Sequence, residues 1–149
     1  MITIKKYVNV PKKRISLIKE IAGIVASDLD LTSIDIIINI CPSVEMGGYD
    51  GFCYSQKRID IVNKKEVEEL FKVIAHELRH AYQFKSGLID CNGKWRGKEY
   101  KNYDGTEIDA ERYERIVWRK YKNSLTYPQK WCIVYLNNNK GSKTWIMVW

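Results

Sequence analysis

The sequence predicts an α+β fold: one compact domain over residues 1–149, with a small mixed sheet and a C-terminal β-hairpin extension over 128–149. Three observations predict it. Apolar residues recur at helical spacing through Val67, Leu70, Phe71, Ile74, Leu78 and Ala81. Isoleucine-rich segments that read as strands precede this stripe, and a second helical stretch with acidic first turns follows it. A chain of 149 residues is long enough to bury one core, and it holds no internal repeat or low-complexity tract.

Each element follows from local signals. Met1–Val8 reads as extended or irregular. Lys12–Leu31 reads as a helix that buries Ile15, Leu17, Ile18, Ile21, Ile24, Val25 and Leu29. Ser33–Ile40 is a strand, and Pro42 with the Gly47-Gly48 pair makes Cys41–Gly51 a loop. Phe52–Val62 is a second strand, or a hairpin turning near Gln56-Lys57. Asn63 then offers an N-cap with Glu66 three residues on, as in a capping box. No proline or glycine interrupts the helix until Ser86-Gly87 stops it. Residues 88–103 form a loop with scattered aromatics, and Asp104 or Thr106 caps the next helix. Lys130–Leu136 and Lys143–Trp149 flank an Asn-rich turn and read as the hairpin.

The first of the two later helices carries His76-Glu77-Leu78-Arg79-His80, and the chain has no other histidine. Residues four apart share a helix face, so both imidazoles can reach one metal ion. Glu77 projects beside them toward an attacking water. Two imidazole ligands with an adjacent general base are what a zinc hydrolase needs. Catalytic zinc usually takes three protein ligands. The third must be a carboxylate or a thiolate here, which excludes metzincin-like patterns. Glu107 is the leading candidate, because small Ala110 one turn on lets the two helices approach closely. Glu111, further along that face, is a candidate to accept a hydrogen bond from a ligand histidine. The plainer reading of these acids is that they cap and solvate the helix. Cys91 is the thiolate alternative.

The pattern His76, Glu77, His80, then Glu107 and Ala110, resembles the gluzincins, zinc peptidases with HExxH on one helix and a glutamate ligand on a later one. In several of these families the second helix reads E-x-x-A-D or E-x-x-A-N; this chain has Glu111 at the last position. In size it is similar to the minigluzincins and the small ImmA/IrrE-type peptidases. The resemblance covers residues 48–120. It implies a zincin-like domain, a Zn2+ cofactor, and an endopeptidase in which His76, His80 and Glu107 hold zinc and Glu77 is the general base. It also implies a sheet strand bordering the cleft, to which an extended peptide or protein substrate adds through main-chain hydrogen bonds. Arg58, Ile59, Asp60 and Ile61 are the candidates for that edge. Tyr100 or Tyr103 is the candidate to stabilise the oxyanion.

Composition bounds the setting. No charged start leads into an apolar stretch, no segment is long enough to span a membrane, and Cys41, Cys53, Cys91 and Cys132 form no CxxC pair. These features lead to the expectation of free thiols in the cytoplasm. The net charge of +7 gathers around Lys5, Lys6, Lys12, Lys13 and Arg14, and along Arg112, Arg115, Arg119, Lys120 and Lys122. It admits a second reading: a basic nucleic-acid- or protein-binding module whose zinc is structural or occluded. An intact Glu77 weighs against that reading, since a structural site needs no base.

Overall fold

The computed structural model describes residues 1–89 and 105–126, together with the backbone of 134–136 and 144–146. Its order is β1 (Ile2–Lys6), α1 (Lys12–Asp28), β2 (Ile36–Cys41), a 3-10 turn (Ser43–Met46), β3 (Gly51–Ser55), β4 (Arg58–Val62), α2 (Val67–Lys85), α3 (Gly105–Tyr121), β5 (Val134–Leu136) and β6 (Thr144–Ile146). The class is α+β, with a mixed four-stranded sheet in the order β1-β2-β4-β3. β1 and β2 pair in parallel, as do β2 and β4, whereas β3 returns antiparallel to β4.

Alternation explains the sheet. Ile38, Ile40, Ile59 and Ile61 point to one face and are fully buried. Their neighbours Asn39 and Asp60 are register partners on the other face, where the Asn39 amide donates to Asp60 Oδ1 at 2.6 Å. The isoleucines form one core with Leu17, Ile18 and Ile21 of α1 and with Leu70, Phe71 and Ile74 of α2. α2 lies against β3 and β4, with α1 and α3 packed on it.

Most boundaries follow the sequence expectations, with some corrections. The 52–62 segment is the hairpin, turning at Gln56-Lys57, with β3 and β4 as its arms. α1 ends at Asp28 rather than Leu31, and Ile15 and Ile24 are only partly buried. α2 begins at Val67, and its N-cap is Glu66, not Asn63. Asn63 instead accepts a hydrogen bond from Arg14 Nε at 3.0 Å, which ties the loop before α2 to α1. At the other end of α2, Gly87 adopts φ +68°, the left-handed conformation that glycine adopts at no steric cost. The β5–β6 pair is antiparallel and forms the centre of the expected C-terminal hairpin; its turn lies outside the described residues.

One charged cluster fastens α3 to α1. Asp28 accepts hydrogen bonds from Tyr113 at 3.0 Å, Tyr121 at 2.8 Å and Lys120 at 2.6 Å. Burial works to raise the Asp28 pKa, but these three donors outweigh it and hold the carboxyl below its ordinary value. Lys120 is therefore part of a helix clamp, and Arg115 is paired with Glu111. Among the described residues, no helix is long and apolar enough to cross a membrane.

Candidate metal centre

α2 and α3 run antiparallel in close contact. Gln83 meets Thr106, Arg79 meets Asp109, and His76 meets Glu114. Ala110 is fully buried between the helices, the close approach that its small side chain allows. This pairing brings Glu107 to the two histidines. His76 Nε2 lies 3.0 Å from Glu107 Oε2 and His80 Nε2 lies 3.3 Å from Glu107 Oε1. The two Nε2 atoms are 3.1 Å apart. Zinc bonds to nitrogen and oxygen of about 2.0–2.1 Å set neighbouring tetrahedral ligands about 3.3–3.4 Å apart. The two imidazole nitrogens, and each of them with one Glu107 oxygen, thus lie close to that separation, and His76, His80 and Glu107 can hold a metal ion.

Electrostatics favour a cation at that point. Burial disfavours the His76 imidazolium, but hydrogen bonds to Glu107 and Glu114 outweigh it and push its pKa up to about 10. Hydrogen bonds from His76 and His80 hold Glu107 well below the usual carboxylate range, against the effect of burial. A divalent ion can supply the positive charge that the protonated histidine otherwise provides.

Glu77 occupies the cleft wall beside the ligands and is only 6 % exposed. Burial pushes its carboxyl up to about 7, against the lowering by His76 and His80. The carboxylate rests against β3 at Gly51. A Cβ built there would lie 2.5 Å from Glu77 Oε1 and 2.6 Å from its Cγ. Only glycine leaves Glu77 where it is. The Cys53 thiol, on the same strand, is raised above its usual range by burial and the Glu77 charge, so it stays neutral. The whole cleft measures about 990 Å³ and opens between β3, α2 and α3.

The structure corrects two expectations. Glu111 does not hold a histidine; it lines the cleft and accepts from Arg115 at 3.1 Å. The residue that bonds His76 Nδ1 is Glu114, at 3.1 Å. Helix geometry explains the difference. Seven residues return to within about 20° of the starting direction, whereas four overshoot by about 40°. The i+7 spacing from Glu107 was the available signal.

Arg58, Ile59, Asp60 and Ile61 are likewise not an edge. β4 is paired on both sides, Ile59 and Ile61 are buried in the core, and Asp60 is held by Asn39 and Arg58. The more apolar arm of the hairpin took the interior position between β2 and β3. Among the described residues, the free edge beside the cleft is β3, whose Gly51, Phe52 and Cys53 line it. Tyr100, Tyr103, Cys91 and Cys132 lie outside the described residues. Two contributors escaped the sequence reading altogether: Gly51 and Gln83, the latter bonded to His80 Nδ1 at 2.8 Å. Compared with protein-family models, curated proteins and solved structures, the chain gives no match.

Proposed function

We propose that this protein is a zinc metallopeptidase of the gluzincin type. The observation that carries the reading is the convergence of His76, His80 and Glu107 on one point, with the Glu77 carboxylate beside it in an open cleft. A structural metal site is closed by four protein ligands, whereas a catalytic one keeps a position free. Among the described residues three donors gather here, and the Glu77 carboxylate is not one of them.

When bound, a zinc ion supplies Lewis acidity to the attacking water and to the scissile carbonyl. Glu77 takes the proton of that water and passes it to the leaving amine. Glu114 and Gln83 hold the outer ring nitrogens of His76 and His80, which keeps both Nε2 atoms directed inward. An extended peptide pairs its main chain with the free edge of β3, which places it across the floor of the cleft. The β3 position next to the base is Gly51, so no side chain separates the bound backbone from Glu77.

The test is metal-dependent cleavage. The zinc-loaded protein should hydrolyse members of a broad peptide library, with products identified by mass spectrometry. Chelation should abolish the cuts, and stoichiometric zinc should restore them. Cuts that survive complete metal removal would reject the mechanism.

A further inference from the structure

Gln83 is fully buried, three residues beyond His80 on α2. Its Oε1 lies 2.8 Å from His80 Nδ1. Its Nε2 donates to the Thr106 carbonyl at 3.0 Å and to Asp109 Oδ2 at 2.8 Å. Those two partners decide which way the amide faces. A backbone carbonyl and a carboxylate oxygen only accept, so the NH2 group must point at α3 and the carbonyl oxygen at His80. An amide oxygen also only accepts, so His80 Nδ1 must carry a hydrogen. In a neutral imidazole the other nitrogen then presents a lone pair. That nitrogen is Nε2, the one facing Glu107 and His76. The chain of constraint continues outward. Asp109 is gripped by Arg79 through Nε at 2.7 Å and a second guanidinium nitrogen at 3.1 Å, and Arg79 stacks over Tyr82 and Tyr113.

We propose that Gln83 is a positioning residue of the metal centre: its amide selects the His80 tautomer that binds metal and locks that ring to the first turn of α3. The inference rests on the metal-binding part of the function proposed above and is independent of the hydrolytic step. The two histidines are thus held differently, His76 by the Glu114 carboxylate and His80 by a neutral amide. A neutral partner orients the ring without adding another anion to a site already holding Glu77, Glu107 and Glu114.

The test measures zinc affinity by competition with a chromogenic chelator, alongside the melting temperature of the metal-free protein. The set is wild type, Gln83→Leu, Gln83→Glu and the core control Val117→Ala. Gln83→Leu should weaken zinc binding about 10- to 100-fold, the usual cost of losing a partner of a ligand histidine. Val117→Ala should lower the melting temperature and leave zinc affinity unchanged. Gln83→Glu separates the two roles of the amide. Its carboxylate still accepts from His80 Nδ1 but cannot donate to Thr106 and repels Asp109. Zinc affinity should stay at wild-type strength or above while the melting temperature falls. If Gln83→Leu does not fold, Gln83→Glu decides alone. Unchanged affinity in Gln83→Leu, or a loss of affinity in Gln83→Glu, would overturn the proposal. Failure of wild type to bind zinc would remove the metal centre itself, a distinct outcome.

Discussion

Glu77→Gln is expected to keep its zinc and its fold while peptide cleavage falls by about a hundred- to ten-thousand-fold, the usual cost of removing a general base. Glutamine has the shape of glutamate but cannot take the proton from water. The substitution also relieves the site of a buried carboxylate, which burial already disfavours in its charged form. Stability should therefore not fall. Gly51→Ala should share this signature by another route. The new methyl group would meet the Glu77 side chain from Cγ to Oε1, so that side chain must move. A misplacement of about 1 Å can cost about a hundredfold in rate. Cleavage should drop in both variants, with zinc content measured in the same samples. Rates equal to wild type in both would remove Glu77 from the reaction.

The second large effect concerns the ligands. His76→Ala should leave the purified protein without stoichiometric zinc, and His80→Ala and Glu107→Ala should do the same. Each leaves two donors, where the site provides three. Elemental analysis of dialysed protein is the measurement. Residues outside the ligand set make the comparison sharp. Glu114→Ala removes the partner of His76 Nδ1 and should weaken zinc binding about 10- to 100-fold. Glu111→Ala breaks only a helix-surface pair with Arg115 and should leave affinity near wild type. An order in which Glu111→Ala is worse than Glu114→Ala would contradict the arrangement of α3.

The HExxH helix, the Glu107 helix and the isoleucine strands were all legible because each rests on a local signal. Spacing of 3.6 residues placed His76 and His80 on one face, and isoleucine-rich composition marked Ser33–Ile40 and Phe52–Val62 as strands. Position within the sheet is different. Whether β3 or β4 becomes the edge depends on which hairpin arm pairs with β2, a long-range choice that neither arm's own pattern states. Partners across the α2–α3 contact depend on a long-range choice too. Glu111 and Glu114 look alike as carboxylates; the i+7 spacing from Glu107 favours Glu114, and the antiparallel pairing of the two helices brings it to His76. Gly51 was invisible because its role is the absence of a side chain beside a residue distant in sequence. In sequence Gln83 is one polar residue near a helix end; only its burial and its three partners distinguish it.

A metal centre with three protein ligands and an unligated Glu77 beside it is open to direct test by anomalous scattering at the zinc edge from zinc-loaded crystals. One site per chain is expected, bonded at typical zinc distances to His76 Nε2, His80 Nε2 and Glu107, with a further position not filled by protein and Glu77 outside the bonding sphere. A zinc bonded to four protein groups, or one that takes Glu77 as a ligand in place of Glu107, would contradict it.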